Sequence, residues 1–222
     1  MRYTFGVTGA VSAVILLLAL SILLPSSNLK FFEYEFGKNG TYASINMEKP
    51  ELLRVSRHMI DYLFGKQSEL NLEATVNGEQ RLFFDETDIT HMKDVKDLFK
   101  LCRFSLYISA IVLILSAIFL RKNLVFLLKC VKNATIAALC VLGMITGSAL
   151  INFEAAFVIF HKIFFRNDLW ILDIDKSLLI NILPERFFID IAIAIGALFA
   201  LLCVIVIIIS LFTRARATAQ EV

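Results

Sequence analysis

Charge is scarce in this chain, and histidine is scarcer. Only 19% of the 222 residues are Asp, Glu, Lys or Arg, and there are three histidines. The 22 basic and 20 acidic side chains nearly cancel to +2. No dense basic face exists, so the electrostatic footprint of a nucleic-acid partner is absent. The four cysteines, Cys102, Cys130, Cys140 and Cys203, form no C-x-x-C pair and sit in or beside apolar runs. That pattern excludes a disulfide framework and a thiolate metal site, and leaves small apolar filler. No glycine-rich nucleotide motif and no H-E-x-x-H are present, so neither a nucleotide nor a metal is expected. There is one Trp against twenty Phe.

Apolar length is what the chain does have. Its residues are 58% hydrophobic, above the roughly 45–50% of ordinary soluble domains. Its mean hydropathy is +0.75. Four runs suit the roughly 20 apolar residues that cross a bilayer. They cover about residues 5–24, 104–120, 134–153 with an apolar pattern continuing to 160, and 188–212. The first exceeds a signal-peptide core of about 7–15 residues and lacks an A-x-A cleavage pattern, so it reads as a retained anchor. Basic residues set the orientation. Arg2 precedes the first run, Arg121, Lys122, Lys129 and Lys132 crowd the loop between the second and third, and Arg214 and Arg216 follow the fourth. The expected order is a first span (residues 1–25), an extracytoplasmic domain (26–103), a second span (104–120) and a cytoplasmic basic loop (121–133). A third span (134–160), an extracytoplasmic loop (161–187), a fourth span (188–212) and a cytoplasmic tail (213–222) follow. The fold class is therefore membrane and mainly α-helical, with four transmembrane helices plus a small α+β extracytoplasmic domain.

The segment 26–103 carries its own local signals. Phe31, Tyr34 and Phe36 alternate loosely with charge and suggest a strand or a membrane-surface strip. Glu48 to Phe64 reads as an amphipathic helix, with Pro50 in its first turn, Leu52, Val55, Met59 and Leu63 on one face, and Gly65 as a cap. Asn77-Gly78 predicts a β-hairpin across Leu70–Phe84. Thr87 to Lys100 reads as a second helix, capped by Thr87 or Asp88, with Asp88, His91 and Asp94 sharing a face. In the later loop, Glu154 and His161 share a face if the third helix continues. Phe164, Phe165 and Trp170 suit a headgroup-level wall, and Asp168, Asp173 and Asp175 surround them. Leu178–Leu183 reads as a short interfacial helix stopped by Pro184. His58 reads as an unpaired surface residue.

Two stretches together carry a resemblance. Asp88-Ile89-Thr90-His91-Met92-Lys93-Asp94-Val95, and Phe160-His161-Lys162-Ile163-Phe164-Phe165 continuing through Asp168, Trp170, Asp173 and Leu183–Phe187, match two signatures of a four-span bacterial family in order and spacing. The chain resembles the lipoprotein intramolecular transacylases of Gram-positive bacteria. The resemblance implies an acyltransferase acting on a diacylglyceryl-modified lipoprotein within membrane lipid. The sn-2 acyl chain would move to the α-amine of the N-terminal cysteine, giving a lyso-form lipoprotein without a cofactor. It maps the two functional histidines onto His91 and His161.

The residues suit that chemistry. The acceptor amine, with a pKa of about 7.7–8.0, needs a base. The tetrahedral intermediate needs a donor, and the leaving oxygen needs a proton. His161 would be backed by Glu154, Asp168 or Asp173, and His91 by Asp94 or Asp88, with the two roles interchangeable at this level. Phe164, Phe165, Trp170, Phe187 and Phe188 would exclude water. A metal-dependent membrane lipid hydrolase and a non-catalytic lipid-binding tetraspan scaffold are the alternatives.

Overall fold

A computed structural model of the chain describes residues 1–219. The elements are α1 (Arg2–Ser26), α2 (Leu29–Lys38), α3 (Thr41–Ser44), α4 (Lys49–Leu63), β1 (Glu73–Val76), β2 (Glu79–Leu82), α5 (Glu86–Phe119), α6 (Leu124–Ile151), α7 (Phe153–Phe164), α8 (Leu178–Ile182) and α9 (Glu185–Ala219). The chain forms two compact units. The first comprises Met1–Ile22, Cys102–Asn152 and the segment from Ala194 onward; the second comprises Leu23–Leu101 and Phe153–Ile193.

The first unit is built from long apolar helices. Four helices of the chain, including the stretch Arg121–Ile151, are long and apolar enough to cross a bilayer. Their outer faces carry bare apolar side chains: Ile111, Leu115, Ile118, Met144 and Ile145 are each more than half exposed. A surface of that size and kind in water marks an aggregation site, whereas lipid tails solvate it. Inside, small residues let helices approach. A Cβ on Gly9 would lie 2.8 Å from the Ser116 Cβ and 2.9 Å from Leu127 Cδ1. Close backbone approach through small residues is how apolar helices gain packing energy in lipid. Gly9→Val should therefore destabilise this unit by about 1–3 kcal/mol, read as a lower melting temperature of the purified protein. A melting temperature equal to wild type would refute the close approach.

The second unit has a conventional buried core. Phe32, Phe36, Leu52, Val55, Met59, Ala74, Val76, Phe83, Phe84 and Ile182 fill it. Helix α4 forms as its periodicity dictates, with Leu52, Val55, Met59 and Leu63 all buried. Gly65 ends it at φ +77°, where a side chain would be strained. The Gly65 N–H donates to the Tyr62 carbonyl and the Lys66 N–H to the Asp61 carbonyl, closing a Schellman motif. Strands β1 and β2 pair antiparallel with Val76 opposite Glu79, so Asn77 and Gly78 make a two-residue turn with φ +55° and +81°. A lone hairpin is marginal in water. Here Glu51 on α4 accepts from the Thr75 N–H, and the Arg54 guanidinium donates to both Glu51 and the Glu73 carbonyl. That guanidinium pulls the Glu51 carboxyl down to about 2.

Several expectations give way to the structure. The strand or surface strip at Phe31–Phe36 is helix α2, N-capped by the Asn28 side chain. The informative pair was Phe32 and Phe36, one helical turn apart and both buried with Glu35, rather than the looser alternation of Phe31, Tyr34 and Phe36. The helix of His91 is not capped by Thr87 or Asp88. Asp85 is the cap: its carboxylate accepts from the Asp88 N–H (2.7 Å), while the Asp88 carboxylate accepts from the Asp85 N–H (3.3 Å). This reciprocal box starts the helix ahead of the expected cap. Nor does that helix end at residue 100. No Gly or Pro interrupts Lys100-Leu101-Cys102-Arg103, so α5 continues through Phe119. At 34 residues it is about 50 Å long, more than a span requires.

The helix over the third apolar run does not continue unbroken to residue 160. Asn152 adopts an extended conformation (φ −153°, ψ 95°), ending α6 and starting α7 as a separate helix. The basic loop shrinks to a short 3-10 turn, Arg121–Asn123, because Leu124 onward is already helical. Helix α9 extends to Ala219, past the expected tail boundary, and residues 220–222 of that tail lie outside the described residues. His58 is not unpaired: its Nε2–H donates to the Glu69 carbonyl at 3.1 Å.

Candidate active site

The residues at issue all belong to the second unit, and two helices bring them together. Met92 is buried in the core, and His91 beside it on α5 is 8% exposed. Helix α7 places His161 near its C-terminal end, 7% exposed. The two imidazole centroids lie 6.2 Å apart with ring planes at 33°. Phe165 touches both, at 5.2 Å from His91 and 5.5 Å from His161. Trp170 stacks on His161 at 4.8 Å, and Phe157 lies against its ring at 4.0 Å.

The hydrogen bonds of the two rings differ. His161 Nδ1 donates to the Phe157 carbonyl at 2.8 Å, one helical turn back. A carbonyl only accepts, so Nδ1 carries the proton and the neutral ring keeps its lone pair on Nε2. His91 Nδ1 is buried without a hydrogen-bond partner among the described residues. Burial pushes the His91 pKa down to about 4, helped by the nearby His161 ring and opposed by Asp94. Burial also lowers His161, opposed by its bond to Phe157. Burial therefore favours the neutral form of both rings.

The depressed His91 makes a stability prediction. Between its unfolded pKa of about 6.5 and its folded value of about 4, the unfolded chain binds the extra proton. Stability must fall as pH drops through that window, by about 3 kcal/mol at its acid end. His91→Phe should flatten the melting temperature between pH 7 and pH 4.5. An equally steep acid decline in that variant would remove His91 as the cause.

The carboxylates are arranged otherwise than their spacing suggested. Asp88 is fully buried and holds no histidine. One of its oxygens takes the Asp85 N–H and the other takes the Ser177 hydroxyl at 2.6 Å. Burial raises the Asp88 pKa, opposed first by the Ser177 bond. Ser177 also caps α8 by accepting from the Ile180 N–H. Asp94 is half-buried and accepts from Asn167 Nδ2 at 2.8 Å. Glu154 and Asp168 are exposed, and neither is hydrogen-bonded to His161. Asp173 organises its own turn, accepting from the Asp175 N–H and pairing with Lys176.

The aromatic wall also divides. Phe165 and Trp170 enclose the histidines, Phe164 stands half-exposed beside Phe160, and Phe188 reaches Phe157 at 5.4 Å. Phe187 is a core residue packed among Phe31, Phe32 and Phe36. Sequence reasoning missed Phe157, Ser177 and Asn167. Phe157 left a signal in its helical spacing to His161, and Ser177 in standing directly before the apolar run of α8.

Comparison with known proteins decides the family. The model of the lipoprotein intramolecular transacylase (Lit) family matches residues 7–188. The chain belongs to that family. It is 30% identical over 187 residues to an uncharacterised protein of Aquifex aeolicus, covering 83% of this chain and 81% of that one. The fold is that of the membrane-integral transacylase Lit from Bacillus cereus, solved in meso: TM-score 0.82, 24% identity, with 100% of this chain and 99% of that chain covered. A form of the same protein with one histidine substituted matches equally well, at TM-score 0.82 and 21% identity over 99% and 95% of the two chains. Membership makes this a multi-pass membrane protein of an acyltransferase family, and the four apolar helices agree with that.

Proposed function

We propose that this chain catalyses intramolecular acyl transfer in bacterial lipoproteins. The sn-2 acyl chain of the diacylglyceryl group moves to the α-amine of the N-terminal cysteine, leaving a lyso-form lipoprotein. The observation that carries this reading is the pair of buried imidazoles 6.2 Å apart beside Phe165 and Trp170, in a chain of the transacylase family. The transfer exchanges an ester for a more stable amide, so no cofactor is needed.

The hydrogen bonds support different roles for the two rings. His161 Nε2, with its lone pair held by the Nδ1–H bond to Phe157, accepts the amine proton as nitrogen attacks the ester carbonyl. His91, its ring 6.2 Å from that of His161, donates to the oxyanion. When the C–O bond breaks, His161 returns the proton to the glyceryl oxygen, so the N–C bond formed and the O–H bond formed balance the two bonds lost. Backbone rather than carboxylate support suits a base that must stay neutral. A carboxylate partner would raise the imidazole pKa, whereas burial here favours the neutral ring. Trp170 and Phe165 keep water from the ester. The basic residues flanking the spans support a topology with both termini in the cytoplasm and the histidines at the outer leaflet. The metal-hydrolase alternative would require a third ligand, and among the described residues no three His, Cys, Asp or Glu side chains converge.

The test is expression in cells that make diacyl lipoprotein, followed by tandem mass spectrometry of the modified cysteine peptide. N-acyl monoacylglyceryl cysteine should appear with the chain and be absent without it. Identical lipoprotein termini in both cultures would overturn the reading.

A further inference from the structure

An open groove of about 370 Å³ lies between α5 and the segment that follows α7, one residue away from the histidine site. Phe165, which touches both imidazoles, is also part of its wall. Leu98 and Phe164 supply an apolar side, while Asp94, Asp97 and Arg166 supply charge. Two carboxylates against one guanidinium leave the groove with a surplus of negative charge. Asp94 is the carboxylate nearer the chemistry. It follows His91 by one helical turn and shares its face, and its charge bears on the His91 ring. Asn167 Nδ2 holds it from across the groove at 2.8 Å, which orients it and leaves it half-exposed.

The geometry points to a binding role for this groove: it receives the acceptor end of the substrate, and the Asp94 carboxylate recognises the α-ammonium of the modified cysteine. This rests on the transacylase reading, since it names what that same site must hold. A primary amine with a pKa of about 7.7–8.0 is mostly cationic near neutral pH. A half-buried, pre-oriented carboxylate is the complementary group, and charge-assisted hydrogen bonds are roughly twice as strong as neutral ones. The ammonium is thereby parked one turn from His91; it sheds one proton to water in the open groove, and the neutral amine gives a second to His161 as it attacks. The part of Asp94 is discrimination between a free and a blocked amine. Asp97, exposed at the edge of the groove, contributes little to it.

The experiment uses the full-length protein in lipid nanodiscs and a non-reactive ligand, a cysteinyl peptide carrying two ether-linked alkyl chains on its glyceryl group. Affinity is compared for the peptide with a free α-amine and its N-acetylated form. Wild type should prefer the free amine by about tenfold. Asp94→Asn should reduce that preference below about twofold, because an Asn oxygen still accepts from Asn167 while the charge is gone. Glu79→Gln, exposed on β2 and outside the groove lining, should keep the wild-type ratio. The inference is overturned if wild type shows no preference, or if Asp94→Asn keeps it. Binding is read without turnover. A wild type that binds selectively but forms no lyso-product from the ester substrate would defeat the functional reading alone.

Discussion

Lyso-product formation falls by at least about 10³-fold when His161 is replaced by Phe, with the protein still folded and in the membrane. The magnitude is that of a lost general acid–base group. Phenylalanine is the informative replacement because the pocket around this ring is aromatic on every described side. Phe157, Phe165 and Trp170 lie 4.0, 5.5 and 4.8 Å from the His161 centroid. A benzene ring preserves those contacts and deletes both nitrogens. What disappears is the Nε2 lone pair, together with the Nδ1 bond to the Phe157 carbonyl. That carbonyl is left without its side-chain donor, which costs about 1 kcal/mol of stability, a small loss beside the catalytic one. Single-turnover conversion of a purified diacyl lipopeptide, followed by mass spectrometry, reads the rate. Conversion within tenfold of wild type would end the role of His161 as the base.

Asp88→Ala should lower stability by about 3 kcal/mol and drag activity down with it. Asp88 is fully buried, and its two oxygens serve two separate parts of the chain. One closes the capping box that starts α5, and the other holds the Ser177 hydroxyl, 89 residues away. Removing the carboxylate frees the Asp85 N–H, orphans a buried hydroxyl and leaves a small void, so three penalties act together. The consequence for chemistry is positional. His91 lies one turn beyond Asp88, and Ser177 ends the segment that carries Trp170 and Asp173. Ser177→Ala leaves the capping box intact but removes the hydroxyl bond to Asp88 and the cap of α8, and should cost about 2 kcal/mol. Thermal melting of the purified variants checks both values. Asp88→Ala melting alongside wild type would mean that the carboxylate clamps nothing.

Much of the fold was legible locally. The Asn-Gly turn, the amphipathic face of α4 and the glycine cap after it are short-range devices in which each residue's preference agrees with its neighbours'. The four apolar runs were equally plain, because a bilayer imposes length and polarity on consecutive residues. Legibility failed where one face was partly polar or where nothing punctuated the chain. Helix α2 hides a buried Glu35 among its aromatics, since Asn39 bonds that carboxylate and Lys38 bridges it to Asp190. The junction of α5 has no breaker, so a boundary inferred from the shift in polarity had no backbone counterpart. The reverse held at Asn152, where an apolar pattern ran on through a break in the helix.

Taken alone, the order of residues determined a four-span helical membrane chain, the small α+β segment and the two histidines worth watching. These rest on periodicity, run length and local signature, all of which act between near neighbours. The three-dimensional packing decided which groups serve those histidines. It gave His161 a backbone carbonyl rather than a carboxylate, turned Asp88 from the imidazole to Ser177, set Asp94 against Asn167, and buried Phe187 in the core. Side chains from Asp85 to Phe188 meet there through loops whose course no local preference dictates. A hydrogen bond between residues 89 positions apart is a property of the closed chain, not of either segment.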